Sequence, residues 1–344
     1  MSGVRPTTVL GQLGLTQVQY VSPVRLGAAQ GLTSRVYQQV EREFGMLAPP
    51  VALHSPAPDV LAASWVMMRE ILLVTGKVDR TAKEAVAAAV SLANTCPYCF
   101  AVHDATFSGL SGDSVRSTAD PRLSAIAAWA RDSANNEPPC SPEETPELIG
   151  AAVLLHYFNR MVNVFLTDVP LPPGAPKMML GPVLRVLGRK ILPAAALPHQ
   201  PGASLDLLPA APLPGDLSWA AGNAVVAGAL ARGSAAIGGA AARSVPPAVR
   251  DMLTAELDNW HGEPHGPSRA WVARPLDALP EAHRPAGRLA LLTALASYQV
   301  DRSVIDEFRS GGGEHGDAGL VELTSWASLA AARRVGARMS ATLR

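Results

Sequence analysis

The apolar residues of this chain recur at helical spacing, three and four positions apart, along nearly its whole length. The alternation of Val, Ile and Thr that is typical of strands is absent, so the pattern predicts an all-α fold. Several of the apolar runs begin at Asp, Thr or Pro, which helix N-termini prefer. The predicted helices span residues 35–44, 59–74, 80–94, 96–109, 121–135, 145–166, 216–232, 247–260, 286–309 and 320–343.

A proline-rich segment interrupts this helical pattern near the middle of the chain. Residues 167–215 contain Pro170, Pro172, Pro173 and several further prolines. Proline lacks a backbone N–H and breaks helices, so the segment is predicted to be a long connection. The chain is therefore predicted to divide into a helical domain at 1–166, the connection at 167–215 and a second helical domain at 216–344.

A weak internal repeat links the two predicted domains. Residues 78–84 are similar to residues 245–251, and each segment opens an apolar helix. Residues 158–162 are similar to residues 300–304, and the two segments are expected to have a similar position in their helices. The repeat favours an internally duplicated helical bundle whose second copy is degenerate. The alternative is a chance match, because alanine-rich helices resemble one another. A duplicated second copy would keep an acid at Asp251 but no cysteine pair.

Composition narrows the classes of function. The chain has 344 residues, is 48% hydrophobic and 17% charged, and can bury a large core. Its 29 basic and 29 acidic residues cancel and only 5% are aromatic, so no nucleic-acid partner is expected. Residues 1–20 lack the apolar core of a signal peptide, and the uncharged stretch 217–231 is shorter than the roughly 20 residues that span a membrane. We expect a cytoplasmic protein that does not enter the membrane.

The segment with the clearest chemistry is Cys96-Pro97-Tyr98-Cys99. Two thiols at this spacing can form a disulfide across one helical turn, and His103 lies one turn beyond Cys99 on the same face. Asn94-Thr95 is predicted to cap this helix and to place both cysteines in its first turn, where the helix dipole lowers a thiol pKa. The pattern indicates thiol redox chemistry.

Glu84 lies in the preceding apolar helix and lacks a nearby basic partner on its own face of that helix apart from Arg80, four residues earlier. A carboxylate in such surroundings forms an ion pair or has its pKa raised. Facing the thiols, Glu84 would act as a proton relay with His103.

Two other interpretations of the cysteine pair remain open. Cys96, Cys99 and His103 could be zinc ligands, with Cys140 or His156 as the fourth. The two cysteines could also be inert core residues. A second CxxC or HxxxH motif is missing, so redox chemistry without a metal or bound cofactor is favoured. The polar residues at 156–160 are predicted to form core hydrogen bonds, with a substrate channel as the alternative.

The chain resembles the AhpD alkylhydroperoxidase group of the carboxymuconolactone decarboxylase-like superfamily. The resemblance is carried by the spacing of four residues: Glu84, eleven residues, then Cys96-x-x-Cys99-x-x-x-His103. The likeness covers residues 58–107. It implies a helical fold and reduction of peroxides by a cysteine pair, with Cys99 as the peroxidatic cysteine, Cys96 as its resolving partner, and His103 and Glu84 as proton relays. It also implies a dithiol reductant, either a lipoyl adaptor or a thioredoxin-like protein.

The assignment of Cys99 rests on opposing arguments. The helix dipole by itself favours Cys96, which is nearer the N-terminus, whereas His103 is one turn from Cys99 and two from Cys96. We favour Cys99. Tyr98 stands where some members of the group carry histidine, so a relay through that position is in doubt. A homo-oligomer is open, since duplication within one chain could replace the usual assembly of subunits.

The sequence therefore predicts a thiol-dependent peroxidase that reduces alkyl hydroperoxides with no cofactor. One alternative is a protein disulfide reductase or redox sensor without peroxidase turnover. Another is a decarboxylase-like enzyme of the wider superfamily that acts on a lactone. Those decarboxylases do not depend on a cysteine pair, so the intact CxxC motif argues against that alternative.

Overall fold

A computed structural model describes residues 14–133, 139–195, 197–311 and 316–341 of the chain, without the side chains of 187, 189–192, 194 and 195. Within these ranges the regular structure is helical and contains no strand, which confirms the predicted all-α class. The predicted helix ends at 135 and 343 lie outside the described residues.

Twelve helices of nine or more residues lie in the described ranges. They are α1 (Gly31–Phe44), α2 (Pro58–Met68), α3 (Arg80–Ala93), α4 (Pro97–Ser111), α5 (Pro121–Arg131), α6 (Thr145–Phe165), α7 (Leu180–Ala195), α8 (Ala224–Ser244), α9 (Pro247–Asn259), α10 (Arg284–Ala296), α11 (Arg302–Ser310) and α12 (Asp317–Ala341). A π-helical turn at Arg69–Leu73 extends α2.

Helix α6 occupies the centre of the molecule and is buried on nearly every face, as a helix that is apolar all round must be. Helix α3 packs against α4, α5 and α6, while α12 packs against α6, α8 and α10. The buried apolar side chains form one cluster that extends from Val21 to Met339. The division of the chain into domains stays a prediction.

Two predicted helices are broken by capping residues. A 3-10 segment, Gly215–Gly222, precedes α8, because the Asn223 side chain accepts hydrogen bonds from two backbone N–H groups and begins a new helix there. The predicted helix 286–309 ends at Ala296, and Asp301 begins α11 in the same way. Both caps are visible in the sequence as Asn and Asp, but the apolar pattern runs across them.

The second pair of repeat segments has different places in the fold. Asn159 and Arg160 lie inside α6, whereas Asp301 and Arg302 stand at the start of α11. The expectation that these segments share a helix position is therefore wrong. The internal duplication stays a prediction.

Part of the proline-rich segment is held against α2 by a buried carboxylate. Glu70 accepts hydrogen bonds from the backbone N–H groups of Gly202 and Ser204 and from the Ser204 hydroxyl, at 2.7–2.9 Å. Arg69 neutralises Glu70 from 2.6 Å. Earlier in the segment, α7 lies against α1 and α4. The connection therefore packs onto the molecule at two places.

Two helices, α6 and α8, are long and apolar enough to cross a membrane by length and composition. The length of α8 was underestimated from the uncharged stretch 217–231, because the helix starts later and continues to Ser244. Within the molecule, 94% of the apolar window of α6 and 50% of that of α8 are buried. Helix α6 is thus buried as a core helix is, whereas half of the α8 window is not buried.

Candidate active site

The cysteine pair begins α4, directly after a tight turn from α3. Cys96 is itself the N-cap of α4, and Pro97 takes the first helical position, where a missing N–H costs nothing. The predicted Asn94-Thr95 cap is therefore wrong. Asn94 ends α3, and Thr95 adopts a left-handed backbone conformation with φ of 52°. Cys96 lies at the N-cap and Cys99 at the third helical position, so both are near the positive end of the helix dipole.

Polar side chains of α6 fix this turn. The Asn94 amide donates to His156 Nδ1 at 3.0 Å and to Asn159 Oδ1 at 2.9 Å, and Asn163 donates to the Asn94 carbonyl at 3.3 Å. Arg160 donates to the backbone carbonyls of His156 and Ala294. The prediction that residues 156–160 form core hydrogen bonds is confirmed.

The two cysteines are free thiols in different surroundings. Cys96 is 1% exposed and Cys99 is 5% exposed. Burial raises the pKa of the Cys96 thiol well above its ordinary value, and the hydrogen bond to Cys99 raises it further. Cys96 therefore keeps its proton at neutral pH and can donate it in a hydrogen bond to Cys99.

Glu84 and His103 meet across α3 and α4. His103 Nδ1 lies 2.7 Å from Glu84 Oε2. The other carboxylate oxygen, Oε1, accepts from Arg80 Nε at 2.7 Å and lies 2.6 Å from Arg80 Nη2. Both the Arg80 and the Glu84 side chain are at least nine-tenths buried, while His103 is 16% exposed. The carboxylate thus holds a guanidinium on one side and an imidazole on the other.

The charge of Glu84 follows from these partners. Burial alone would raise the pKa of this carboxyl, but Arg80 and His103 oppose it and bring the pKa below its ordinary value. Glu84 is therefore ionised at neutral pH. An ionised carboxylate on Nδ1 orients the imidazole of His103.

A cavity opens beside this cluster. Cys99, His103, Glu84 and Arg80 all line it, and Cys96 is not among the described residues that do. The rest of its lining is mostly apolar. It comes from the end of α1 and the segment after it, from the end of α2 and its π-helical turn, and from α4 and α6: Phe44, Met46, Ala48, Pro49, Pro50, Met68, Leu72, Tyr98, Val102, Thr106, Leu154, Leu155 and Phe158. The cavity presents one thiol, one imidazole and one guanidinium to an apolar ligand.

Tyr98 lies between the two cysteines and lines the same cavity. Its hydroxyl donates to Gln17 Oε1 at 3.0 Å. Burial raises the pKa of Tyr98 above its ordinary value, and the neighbouring Cys99 contributes. Tyr98 therefore stays protonated and cannot relay protons as a histidine would.

Sequence reasoning missed two parts of this site. It noted Arg80 only as a charge near Glu84, although the i, i+4 spacing of the pair predicts contact on a helix. It assigned nothing to residues 44–50, which form one wall of the cavity. Nothing in the local pattern of that segment distinguishes it from core.

The residues proposed as a fourth zinc ligand are engaged elsewhere. Cys140 Sγ lies 3.6 Å from Thr145 Oγ1, and His156 Nδ1 contacts Asn94. Across the described ranges, no three His, Cys, Asp or Glu side chains lie close enough together to hold a metal ion.

Comparison with known proteins identifies a relative that is similar to the chain over nearly its whole length. No protein-family model matches it. The alkyl hydroperoxide reductase Rv2159c of Mycobacterium tuberculosis strain H37Rv is 35% identical to it over 341 residues, which cover 93% of this chain and 94% of the relative. The similarity thus extends far beyond the segment 58–107 that carries the cysteine motif, and includes both predicted domains. The chain belongs to the AhpD-like family of alkyl hydroperoxide reductases.

Proposed function

We propose that this protein is a thiol-dependent peroxidase in which Cys99 reduces alkyl hydroperoxides and Cys96 resolves the product. The observation that carries the proposal is the position of Cys99: of the two thiols, it is the one that lines the apolar cavity, beside His103 and Glu84.

Activation requires that Cys99 lose its proton, because the thiolate is the nucleophile. His103 is one helical turn away and its Nδ1 is occupied by Glu84, so Nε2 accepts the thiol proton. The Glu84 carboxylate stabilises the imidazolium that results. Cys96, kept protonated by burial, donates a hydrogen bond to the new thiolate.

In the oxidation step the Cys99 thiolate attacks the terminal oxygen of the hydroperoxide. An S–O bond forms, the O–O bond breaks, and the electron pair of the broken bond leaves on the alkoxide. The imidazolium of His103 returns its proton to that alkoxide and an alcohol departs. Cys99 is left as a sulfenic acid.

Resolution follows at the same helix end. The Cys96 thiol attacks the Cys99 sulfur, an S–S bond forms, and the hydroxyl leaves with the Cys96 proton as water. A dithiol reductant, either a lipoyl adaptor or a thioredoxin-like protein, then supplies two electrons and two protons to the disulfide. Since both cysteines are at most 5% exposed, this last step requires a local opening of the turn.

The cavity favours this function over disulfide exchange with a protein substrate. Its apolar walls suit the carbon chain or ring of an organic hydroperoxide. A small peroxide can reach Cys99 through the cavity as it stands, whereas a disulfide on another protein needs the same local opening of the turn as the reductant. A redox sensor would keep the same thiols but would show no turnover with peroxide and a dithiol.

The test is stopped-flow oxidation of the reduced protein by tert-butyl hydroperoxide, with Cys99→Ser and Cys96→Ser beside it. We expect wild type to react much faster than free cysteine, and Cys99→Ser to lose the fast phase entirely. Cys96→Ser should keep the fast phase and accumulate a sulfenic acid that a dimedone-type reagent traps. Cys140→Ser is the matched control, because Cys140 lies outside the cavity, and it should behave as wild type.

Two results would contradict the proposal. Reaction of wild type no faster than free cysteine would remove the peroxidase and leave a disulfide reductase or sensor. Loss of the fast phase in Cys96→Ser, with a sulfenic acid trapped in Cys99→Ser, would reverse the roles of the two thiols.

A further inference from the structure

Arg80 has more hydrogen-bonding capacity than its neighbours use. Its guanidinium directs Nε and Nη2 to the same oxygen of Glu84. Its third nitrogen, Nη1, is buried and makes no hydrogen bond with any described residue. The side chain is only 7% exposed, so water does not fully compensate this donor.

A buried donor without a partner is costly and calls for an explanation. In this case Arg80 lines the cavity that contains Cys99 and His103. The other walls are nearly all apolar and offer almost nothing for Nη1 to bond. The donor is therefore available to whatever polar group a ligand brings into the cavity.

The polar group of an alkyl hydroperoxide is the O–O bond itself. When Cys99 attacks the terminal oxygen, negative charge moves from sulfur to the inner oxygen, which becomes the leaving alkoxide. An N–H donor that is fixed in place, charged and surrounded by apolar walls stabilises such a charge far more than water would, since it needs no reorganisation as the bond breaks.

We propose that Arg80 is a catalytic residue of this peroxidase, and that its Nη1–H donates to the peroxide oxygen that leaves as alkoxide. This inference rests on the proposed function. Glu84 has a second role in it, because the carboxylate fixes the guanidinium through two bonds to one oxygen and leaves the third nitrogen without a protein partner. Charge stabilisation by Arg80 and proton delivery by His103 then act on the same leaving oxygen.

The simplest competing role for Arg80 is to position Glu84. Under that role, loss of Arg80 would disturb Glu84 and His103 and would slow every reaction of the Cys99 thiolate equally. A second competing role is to bind a carboxylate carried by the substrate. Under that role, Arg80 would not affect a hydroperoxide that has no carboxylate.

The test compares two reactions of Cys99 in wild type and Arg80→Lys. One is oxidation by tert-butyl hydroperoxide, which carries no carboxylate and leaves an alkoxide. The other is alkylation by iodoacetamide, which reports thiolate reactivity and leaves iodide, a poor hydrogen-bond acceptor. Lysine keeps a positive charge for Glu84 but not the planar fork with a third nitrogen.

We expect Arg80→Lys to slow the peroxide reaction about a hundredfold, the lower end of the range for loss of one fixed donor to a developing oxyanion. Alkylation at the same pH should change less than about twofold. Arg69→Lys is the matched control: Arg69 is also buried and paired with a glutamate, but it lies outside the cavity, and neither rate should change.

Equal slowing of both reactions would overturn the proposal in favour of a positioning role. An unchanged peroxide rate would overturn it as well, whether Arg80 binds a carboxylate or nothing. If Arg80→Lys does not fold by circular dichroism, Arg80→Gln provides the same comparison, since it removes the charge and the third nitrogen together. A wild type no faster with peroxide than free cysteine would instead overturn the proposed function itself, and this inference with it.

Discussion

Helix α3 contributes to two buried ion pairs, Arg80 with Glu84 and Lys83 with Glu147. The two pairs differ in how many of their polar atoms have hydrogen-bond partners. Lys83 Nζ lies 2.9 Å from Glu147 Oε2 and donates to the Val74 carbonyl at 2.7 Å. Glu147 also accepts from the backbone N–H groups of Lys77 and Val78 and from the Asn223 amide. Both oxygens of that carboxylate have partners, and neither Lys83 nor Glu147 lines the cavity that contains Cys99.

The pair of Arg80 and Glu84 has the opposite character. One guanidinium nitrogen is left without a described partner, the second carboxylate oxygen holds a histidine, and the group faces a cavity that contains a thiol. A pair that serves only the fold is fully bonded, because an unmet buried group costs stability. Burial and charge are common to both pairs and so do not distinguish the candidate site. Incomplete hydrogen bonding beside a cavity does.

The bonding of Glu147 also explains Gly76. A Cβ at position 76 would collide with the Glu147 carboxylate, which is held in place by its partners. The loop before α3 can follow this path only because residue 76 has no side chain.

The largest expected effect comes from breaking the structural pair. Lys83→Met leaves Glu147 charged and buried without its cation, so we expect the free energy of unfolding to fall by about 3–5 kcal/mol. Urea titration measures it. Lys77→Met is the control, because the pair of Lys77 with Glu143 is exposed and worth less than about 1 kcal/mol. A loss of unfolding free energy in Lys83→Met that is no larger than in Lys77→Met would contradict the structural role of the pair. A slower peroxide reaction in folded Lys83→Met would contradict it as well.

His103→Gln should show the reverse pattern. The amide can still donate to Glu84, so we expect little change in the free energy of unfolding. The peroxide reaction should slow about a hundredfold, because an amide neither accepts nor returns the proton of Cys99. Stopped-flow oxidation measures the rate, with His261→Gln, an exposed histidine away from this cavity, as the unchanged control. An undiminished rate would exclude His103 as the proton carrier.

The smallest effect is a pH dependence that belongs to Glu84. Its pKa in the folded protein is below its ordinary value, so the stability it contributes is present above the unfolded pKa of about 4.3 and is lost as pH falls through the folded pKa. The difference in free energy of unfolding between wild type and Glu84→Gln should therefore shrink as pH falls below about 4.3. Urea titrations across this range measure it. A difference that is constant or grows in acid would mean that burial dominates and that the pKa is raised.

Much of the fold was accessible from periodicity alone. Helices α3 and α6 were each predicted to within one residue at their ends, and α4 to within two, because apolar spacing and N-terminal Asp, Thr and Pro agree there. The breaks at Asn223 and near Asp301 were missed, since a single capping side chain outweighs an apolar pattern that continues through it.

The candidate site divides in the same way. The contact of Glu84 with His103 joins two helices. Both residues could nevertheless be identified from the sequence, because their spacing from the cysteines resembles that of a known group. The position of Cys96 as N-cap could not be predicted from the sequence. It depends on the hydrogen bonds of Asn94 with His156 and Asn159 of α6, which are far away in the chain.

The helical class, the cysteine pair and the nearby Glu84 and His103 could be identified from the sequence, since they depend on local spacing and residue chemistry. Tertiary structure alone decided which thiol meets the cavity, that residues 44–50 form its wall, and that one nitrogen of Arg80 lacks a partner. Those features depend on distances between segments far apart in the chain. Such distances are set by the packing of a whole core, which no local pattern encodes.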